Sequence, residues 1–148
     1  MWHHILYLTL IGILLAATIT DIKGRIILNR FSISGMIVAT IVHLIDPALS
    51  WWNYILTGSI VFILLFLVAV ITGERSIGGG DVKLFGMLGF AVGWPDFLLL
   101  FILSHLLGAA YILIRKLMLW KQINRHTEFA FAPFILVATV ILYLWKWL

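Results

Sequence analysis

The chain has 148 residues, of which 64% are apolar and only 11% are charged, and its formal net charge is +4. A soluble domain carries about 25% charged and about 45–50% apolar residues, and a chain this short has too little interior to bury the excess. The composition therefore excludes an ordinary soluble domain and indicates a protein of the lipid bilayer. The absence of cysteine excludes disulfides, thiol nucleophiles and thiolate metal sites.

Six apolar segments follow one another along the chain, separated by short segments that contain nearly all of the charge. They cover residues 5–20, 31–45, 53–72, 82–94, 97–114 and 130–147. A spanning helix needs about 20 apolar residues, so we predict an all-α integral membrane protein with about six transmembrane helices in a single domain over residues 1–148. The fourth segment is short and rich in glycine, and we expect it to enter the membrane from an irregular loop.

The basic residues are distributed unevenly between the two sides of the predicted bundle. One side contains Lys23, Arg25, Arg30, Arg75, Lys83, Arg115, Lys116, Lys121 and Arg125, and the other contains Lys146. Basic loops tend to remain in the cytoplasm. We therefore predict that the loops 21–30, 73–81 and 115–129 are cytoplasmic and that both termini face outward. Because these charges are spread among several loops, they reflect topology and do not indicate nucleic-acid binding.

Two of the six acidic residues occupy positions that indicate chemistry. The other four are interpreted as turn-forming or solvated residues: Asp46, Asp96, Glu74 and Glu128. Asp21 follows the first span directly, and Asp81 ends the run of three glycines at residues 78–80. Both are predicted at the same cytoplasmic membrane surface, where ionisable groups are costly and are commonly functional.

Two carboxyl groups that meet at such a surface would differ in protonation. Mutual repulsion and partial desolvation would keep one protonated while the other stays ionised near neutral pH. The ionised group can take a proton from a water that attacks a peptide carbonyl, while the neutral group donates to the developing oxyanion. Asp21 and Asp81 are therefore the candidate catalytic pair of an aspartic protease, which requires no metal or other cofactor.

At these residues the sequence resembles the type IV prepilin leader peptidases, which are aspartic proteases of the prokaryotic inner membrane. Residues 21–29 are similar to the first family motif, an Asp followed at a fixed distance by a Pro-Asn pair, although Leu28 stands in place of the proline. Residues 78–84 resemble the GxGD motif with its following lysine, and residues 129–134 resemble a proline-phenylalanine motif that opens the last span.

The resemblance implies a substrate and a place of action. Prepilins or related pseudopilins would be cut on the cytoplasmic side, after a glycine that ends a basic leader and precedes a hydrophobic helix. Larger bacterial members carry an amino-terminal domain with paired cysteines that is associated with methylation of the new pilin terminus. This domain is missing from the sequence, so methyltransferase activity and zinc are not expected.

Further residues are candidates for binding substrate or shaping the site. For each of them a purely structural role is the alternative interpretation. Gly78, Gly79 and Gly80 allow close approach of another segment, or form a flexible turn. Lys83 favours the charged form of Asp81, or extends to the membrane interface. Asn29 bonds the loop near Asp21, or caps a helix. Pro133 starts the last helix, or shapes a substrate groove. The spacing of Gly86, Gly89 and Gly93 predicts close helix packing.

Two other classes of function are compatible with a small membrane protein that contains two aspartates. In a proton- or cation-coupled transporter, the pair would form an ion site near the membrane surface. Such a protein needs a polar route through the bilayer, and beyond His43, His105 and scattered Ser and Thr the spans contain few polar residues at mid-depth. In an inert membrane component of a pilus or secretion assembly, the aspartates would have no catalytic role.

Overall fold

A computed structural model of the chain describes residues 1–74, 77–118 and 130–148. Within these ranges the chain forms six helices and no strand: α1 (Trp2–Gly24), α2 (Asn29–Ile45), α3 (Trp51–Thr72), α4 (Gly79–Val92), α5 (Asp96–Met118) and α6 (Ala132–Trp147). The predicted all-α fold is confirmed, and each predicted apolar segment corresponds to one helix. Predictions for Arg75, Lys121, Arg125, Glu128 and the start of the last motif at Phe129 fall outside the described residues.

Three of the helices are long and apolar enough to cross a membrane. Helices α1, α3 and α5 have 22 or 23 residues and mean hydropathies between 2.1 and 2.8, whereas α2 and α6 are apolar but shorter. Only four of the 22 residues of α3 are buried within the protein. An apolar surface of this extent is stable against lipid and not against water, so the protein is a membrane protein.

Helix α4 occupies the centre of the bundle. It packs against α2, α3 and α5, while α1 packs against α2 and α6, and α5 packs against α6. Leu10 and Leu14 of α1 and Leu84 and Leu88 of α4 belong to one buried cluster. Gly80 at the start of α4 lies against Ile27 in the segment that follows α1, so the last turn of α1 and the first turn of α4 are at the same end of the bundle. We call it the aspartate end, because Asp21 and Asp81 lie there.

Glycines allow α3 and α4 to approach each other closely. A Cβ atom added at Gly89 would lie 3.2 Å from the Cα atom of Gly58, and one added at Gly86 would lie 3.1 Å from the Cβ atom of Phe62. The predicted role of Gly86 and Gly89 in close packing is confirmed. Gly93 also lies close to α3, since an added Cβ atom would be 2.7 Å from the Oδ1 atom of Asn53, and it ends α4 with a positive φ of 69°.

The fourth helix begins earlier than the sequence predicts. Its segment was expected to enter from an irregular glycine loop, but Gly79 and Gly80 are already helical and Asp81 lies in the first turn. The reason is burial: nine of the 14 residues of α4 are buried. Packing against three neighbouring helices outweighs the cost of about 1 kcal/mol for each glycine in a helix.

Candidate active site

Asp21 is held in the last turn of α1. Helix α1 continues one turn beyond the predicted end of the first span, and its final residue Gly24 is followed by Arg25 in the left-handed conformation. The backbone N–H of Arg25 donates to the carbonyl oxygen of Asp21 at 2.8 Å. The side chain of Asp21 is therefore carried by regular helix, and its residue is only 7% exposed.

The Asp21 carboxylate contacts the start of α6. Its Oδ2 atom accepts a hydrogen bond from the backbone N–H of Ala132 at 3.0 Å, and both groups are buried. Pro133 is the second residue of α6 and helps to start the helix. The last helix thus contributes a backbone donor to the aspartate end, although its first residue is 111 positions away from Asp21.

Asp81 lies just outside the apolar segment 82–94, in the first turn of α4. Its Oδ1 atom is buried and has no hydrogen-bond partner among the described residues. Burial and, to a smaller extent, the negative charge of Asp21 together raise the pKa of Asp81 from 3.8 to about 7. The two carboxyl groups are therefore near enough to interact. Asp21 accepts a backbone hydrogen bond, whereas the buried Oδ1 atom of Asp81 accepts none from the residues that the structure describes.

Lys83 and Asn29 contact each other across the aspartate end. The Nζ atom of Lys83 donates to the Oδ1 atom of Asn29 at 2.8 Å, which joins the first turn of α4 to the first turn of α2. Asn29 makes no capping bond, because the N-cap residue of α2 is Leu28 and no side chain caps it. The raised pKa of Asp81 is caused by burial and by the charge of Asp21.

The three glycines before Asp81 differ in their surroundings. A Cβ atom at Gly80 would lie 2.8 Å from the Cβ atom of Ile27, in the loop between α1 and α2. A Cβ atom at Gly79 would lie 3.0 Å from the end of the flexible Glu74 side chain, and one at Gly78 would lie 3.6 Å from Asp81. Only Gly80 is therefore needed for a close approach to a rigid part of the chain.

Two polar contacts at the other end of the bundle were not predicted. The carboxylate of Asp96 accepts a hydrogen bond from the Tyr7 hydroxyl at 3.2 Å and forms a short ion pair with Lys146. These residues line a cavity of about 300 Å³. From the sequence, Asp96 is interpreted as a turn residue and Lys146 as a marker of topology. Neither residue belongs to a short motif that would predict a contact among α1, α5 and α6.

His105 is bonded within its own helix. Its Nδ1 atom donates to the carbonyl oxygen of Phe101 in α5 at 2.8 Å. In the part of the chain that the structure describes, no group of three or more His, Asp or Glu side chains could hold a metal ion.

Comparison with known proteins identifies the family. A sequence model of the type IV leader peptidase family matches residues 8–113, a range that includes Asp21 and Asp81. The chain belongs to the type IV leader peptidase family. The resemblance noted from the motifs is thereby confirmed, whereas Ala132 and Pro133 lie beyond the matched range.

Three curated relatives are similar to the chain over most of its length. The prepilin leader peptidase/N-methyltransferase of Bacillus subtilis is 32% identical over 91% of the chain and 53% of its own length. The protein of the same name in Pseudomonas aeruginosa is 28% identical over 81% of the chain and 37% of its length. The prepilin peptidase EppA of Methanocaldococcus jannaschii is 29% identical over 70% of the chain and 28% of its length.

The chain thus spans about half of the Bacillus subtilis relative and a smaller share of the other two. No solved structure gives a significant match to this leader peptidase family member.

Proposed function

We propose that the protein is a membrane aspartic endopeptidase that removes the leader peptide from type IV prepilins or prepilin-like proteins. The observation that carries this proposal is the pairing of Asp21 and Asp81 at one end of the bundle. Asp21 is buried and hydrogen-bonded, and the pKa of Asp81 is raised to about 7 partly by the Asp21 charge. Membership of the leader peptidase family supports prepilins as the substrate class.

The proposed reaction uses the different protonation of the two groups. One ionised aspartate takes a proton from a water molecule as the water oxygen forms a bond to the peptide carbonyl carbon. The protonated aspartate donates its proton to the carbonyl oxygen, which gives a neutral tetrahedral species. The C–N bond then breaks, the leaving amine takes a proton from the first aspartate, and the second aspartate recovers its proton from the collapsing hydroxyl. The net reaction is hydrolysis.

The membrane would position the substrate. A hydrophobic substrate helix that lies in the bilayer presents the peptide at its end at the depth of Asp21 and Asp81, so that binding is largely a matter of placement. The asymmetry of the basic loops supports a cytoplasmic location of the aspartate end, with both termini outside a prokaryotic inner membrane. We propose the site residues as follows: Asp21 and Asp81 react, and Gly78, Gly79, Gly80, Lys83, Asn29 and Pro133 shape the substrate site.

The direct test is coexpression with a candidate prepilin, followed by mass measurement of its new amino terminus. We expect a mature pilin that lacks its leader and carries no added methyl group. Intact prepilin would contradict the peptidase proposal, and a methylated product would contradict the expected lack of methyltransferase activity.

Asp21→Asn and Asp81→Asn are the matched variants for this test. Each removes one member of the pair at nearly constant volume, so we expect cleavage to fall by about a thousandfold or more while the protein remains folded in the membrane. Substantial cleavage by either variant would reject the two-aspartate mechanism. Ion flux that depends on both residues, in the absence of cleavage, would instead favour the transporter alternative.

A further inference from the structure

The two proposed catalytic carboxyl groups have unequal surroundings. The Oδ2 atom of Asp21 accepts the backbone N–H of Ala132 at 3.0 Å, whereas the Oδ1 atom of Asp81 is buried without a partner among the described residues. A donor that points at a carboxylate stabilises the charged form, and burial without a donor stabilises the neutral form. The surroundings therefore distinguish the two aspartates.

In the first turn of α6, the backbone N–H of Ala132 is a described donor that reaches Asp21. The N–H groups in the first turn of a helix have no partner within the helix. Pro133 has no N–H group, and the N–H groups of Phe134 and Ile135 donate to the carbonyl oxygen of Phe131 at 3.0 and 3.5 Å. The N–H of Ala132 has no acceptor inside α6, and it donates to Asp21.

The direction of α6 adds to the effect of this hydrogen bond. The amino-terminal end of a helix carries a partial positive charge, which favours a negative group beside it. Asp21 receives this influence in a buried place, where it is weakly screened. Asp81 also lies near a helix start, in the first turn of α4, but its buried oxygen receives no hydrogen bond from a described residue.

We infer that the backbone N–H of Ala132 is a positioning group that holds Asp21 in its ionised form as the base, which leaves Asp81 as the acid. This inference rests on the proposed function, and it assigns each role within the pair. Asp21 accepts the proton of the attacking water, and Asp81 donates to the carbonyl oxygen. Pro133 contributes by starting α6 without adding a second donor.

The test replaces the N–H of Ala132 by an ester oxygen, through incorporation of the corresponding α-hydroxy acid. This change keeps the side chain and removes only the donor. We expect kcat for prepilin cleavage to fall about tenfold or more with KM unchanged, and the acidic limb of the kcat profile to move to higher pH. The same ester at Ala138, which is also buried but lies in the middle of α6, should leave the pH profile in place.

The outcomes separate this inference from the proposed function. If the protein with the Ala132 ester shows the kcat and the pH profile of the unmodified protein, the positioning role is wrong and the peptidase proposal stands. If the unmodified protein cleaves no prepilin, the peptidase proposal fails first.

Infrared spectroscopy with isotope-labelled aspartate tests the assignment without cleavage, and also applies if the ester protein does not fold. At a pH of about 6, below the pKa of about 7 of Asp81, we expect a band of a protonated carboxyl group. The band should vanish in Asp81→Asn and persist in Asp21→Asn. The reverse pattern, or no such band, would overturn the assignment.

Discussion

Asp81 combines a buried oxygen with a raised pKa, and this combination has a consequence for the pH dependence of cleavage. Burial and the charge of Asp21 raise its pKa from 3.8 to about 7. The proton is therefore retained up to nearly neutral pH and is lost above it. We expect kcat to fall as the pH rises through about 7, because the carbonyl oxygen then loses its proton donor. A rate profile with reconstituted protein measures this, and a constant rate across pH 7 would contradict it.

The same carboxyl group links pH to stability. Because its pKa is raised in the folded protein, the folded state binds more protons than the unfolded state between about pH 4 and 7. We therefore expect the free energy of unfolding to decrease as the pH rises through this range. Asp81→Asn is the control, since it removes the titrating group, and this part of the pH dependence should disappear with it.

Gly80 is the glycine before Asp81 for which the structure gives a steric requirement. A methyl group at Gly80 would meet the Cβ atom of Ile27 at 2.8 Å, so the first turn of α4 would have to move away from the α1–α2 loop. We expect Gly80→Ala to lower kcat by about tenfold or more, because a small displacement of a catalytic group is costly. Cleavage assays with membranes of equal protein content measure the effect.

Gly79→Ala is the matched control at the next position. Its methyl group would meet only the end of the Glu74 side chain at 3.0 Å, and this side chain can move. We expect a much smaller fall in kcat than in Gly80→Ala, because a flexible side chain can move aside at little cost. If kcat falls equally in the two variants, the need for glycine at these positions comes from the helix backbone entropy and not from the contact with Ile27.

At the scale of elements, the position of α4 depends on its contact with α3. A methyl group at Gly58 would lie 2.8 Å from the Cβ atom of Phe90. We expect Gly58→Ala to lower the free energy of unfolding by about 1–3 kcal/mol, because the two helices must separate. Unfolding in bicelles measures this.

Gly12 provides the comparison for the same substitution. A Cβ atom at Gly12 has no neighbour within 4 Å, so Gly12→Ala should keep or raise stability, by about 0.5–1 kcal/mol. If both variants lose stability equally, the close approach of α3 and α4 is not what makes Gly58 necessary.

The sequence predicted the helices more completely than it predicted their contacts. Long apolar segments have few stable forms in a bilayer, so each of the six segments could be assigned as a helix from composition alone. The start of α4 at Gly79 could not be found this way, because glycine has a low helix propensity and the helix is stabilised by burial against its neighbours.

The contacts in the site between residues far apart in the chain could not be predicted from the sequence. Asp21 and Asp81 could be selected because their positions at span ends restrict their depth. The bond from Ala132 to Asp21 joins residues 111 positions apart and uses a backbone group, which no residue type reveals. The bond between Lys83 and Asn29 was missed because each residue was interpreted with its chain neighbours. Pro133 is the residue that could have indicated this contact. Proline near a helix start has no N–H group, so few backbone donors remain there to bind an acceptor from another helix.

At the scale of the whole molecule, the end of the bundle opposite to the aspartates contributes to stability. Asp96 joins three helices through Tyr7 of α1, Lys146 of α6 and its own position in α5. We expect Asp96→Ala to lower the free energy of unfolding by about 1–3 kcal/mol, since both partners lose a charged acceptor. The kcat of the folded fraction should remain unchanged, because this cluster is remote from Asp21 and Asp81.

Asp46→Ala is the control for this change. Its carboxylate lies 3.8 Å from His3 and its side chain is 51% exposed, so the loss should be below about 0.5 kcal/mol. If both variants lose the same free energy of unfolding, the effect comes from removing any acidic group at this end. If Asp96→Ala also lowers kcat, the two ends of the bundle are coupled.

The shortness of α4 relates the proposed catalysis to the thickness of the surrounding lipid. Its 14 residues extend over about 21 Å, whereas the 22 residues of α3 beside it extend over about 33 Å. A hydrocarbon layer of about 30 Å matches α3 and exceeds α4, so we expect the layer around the bundle to be indented at the aspartate end, where water has to reach Asp81. Lipids with longer acyl chains resist this indentation, and we expect vesicles made from them to support slower cleavage than vesicles of short-chain lipids. Hydrophobic mismatch would then regulate the supply of water to the scissile bond.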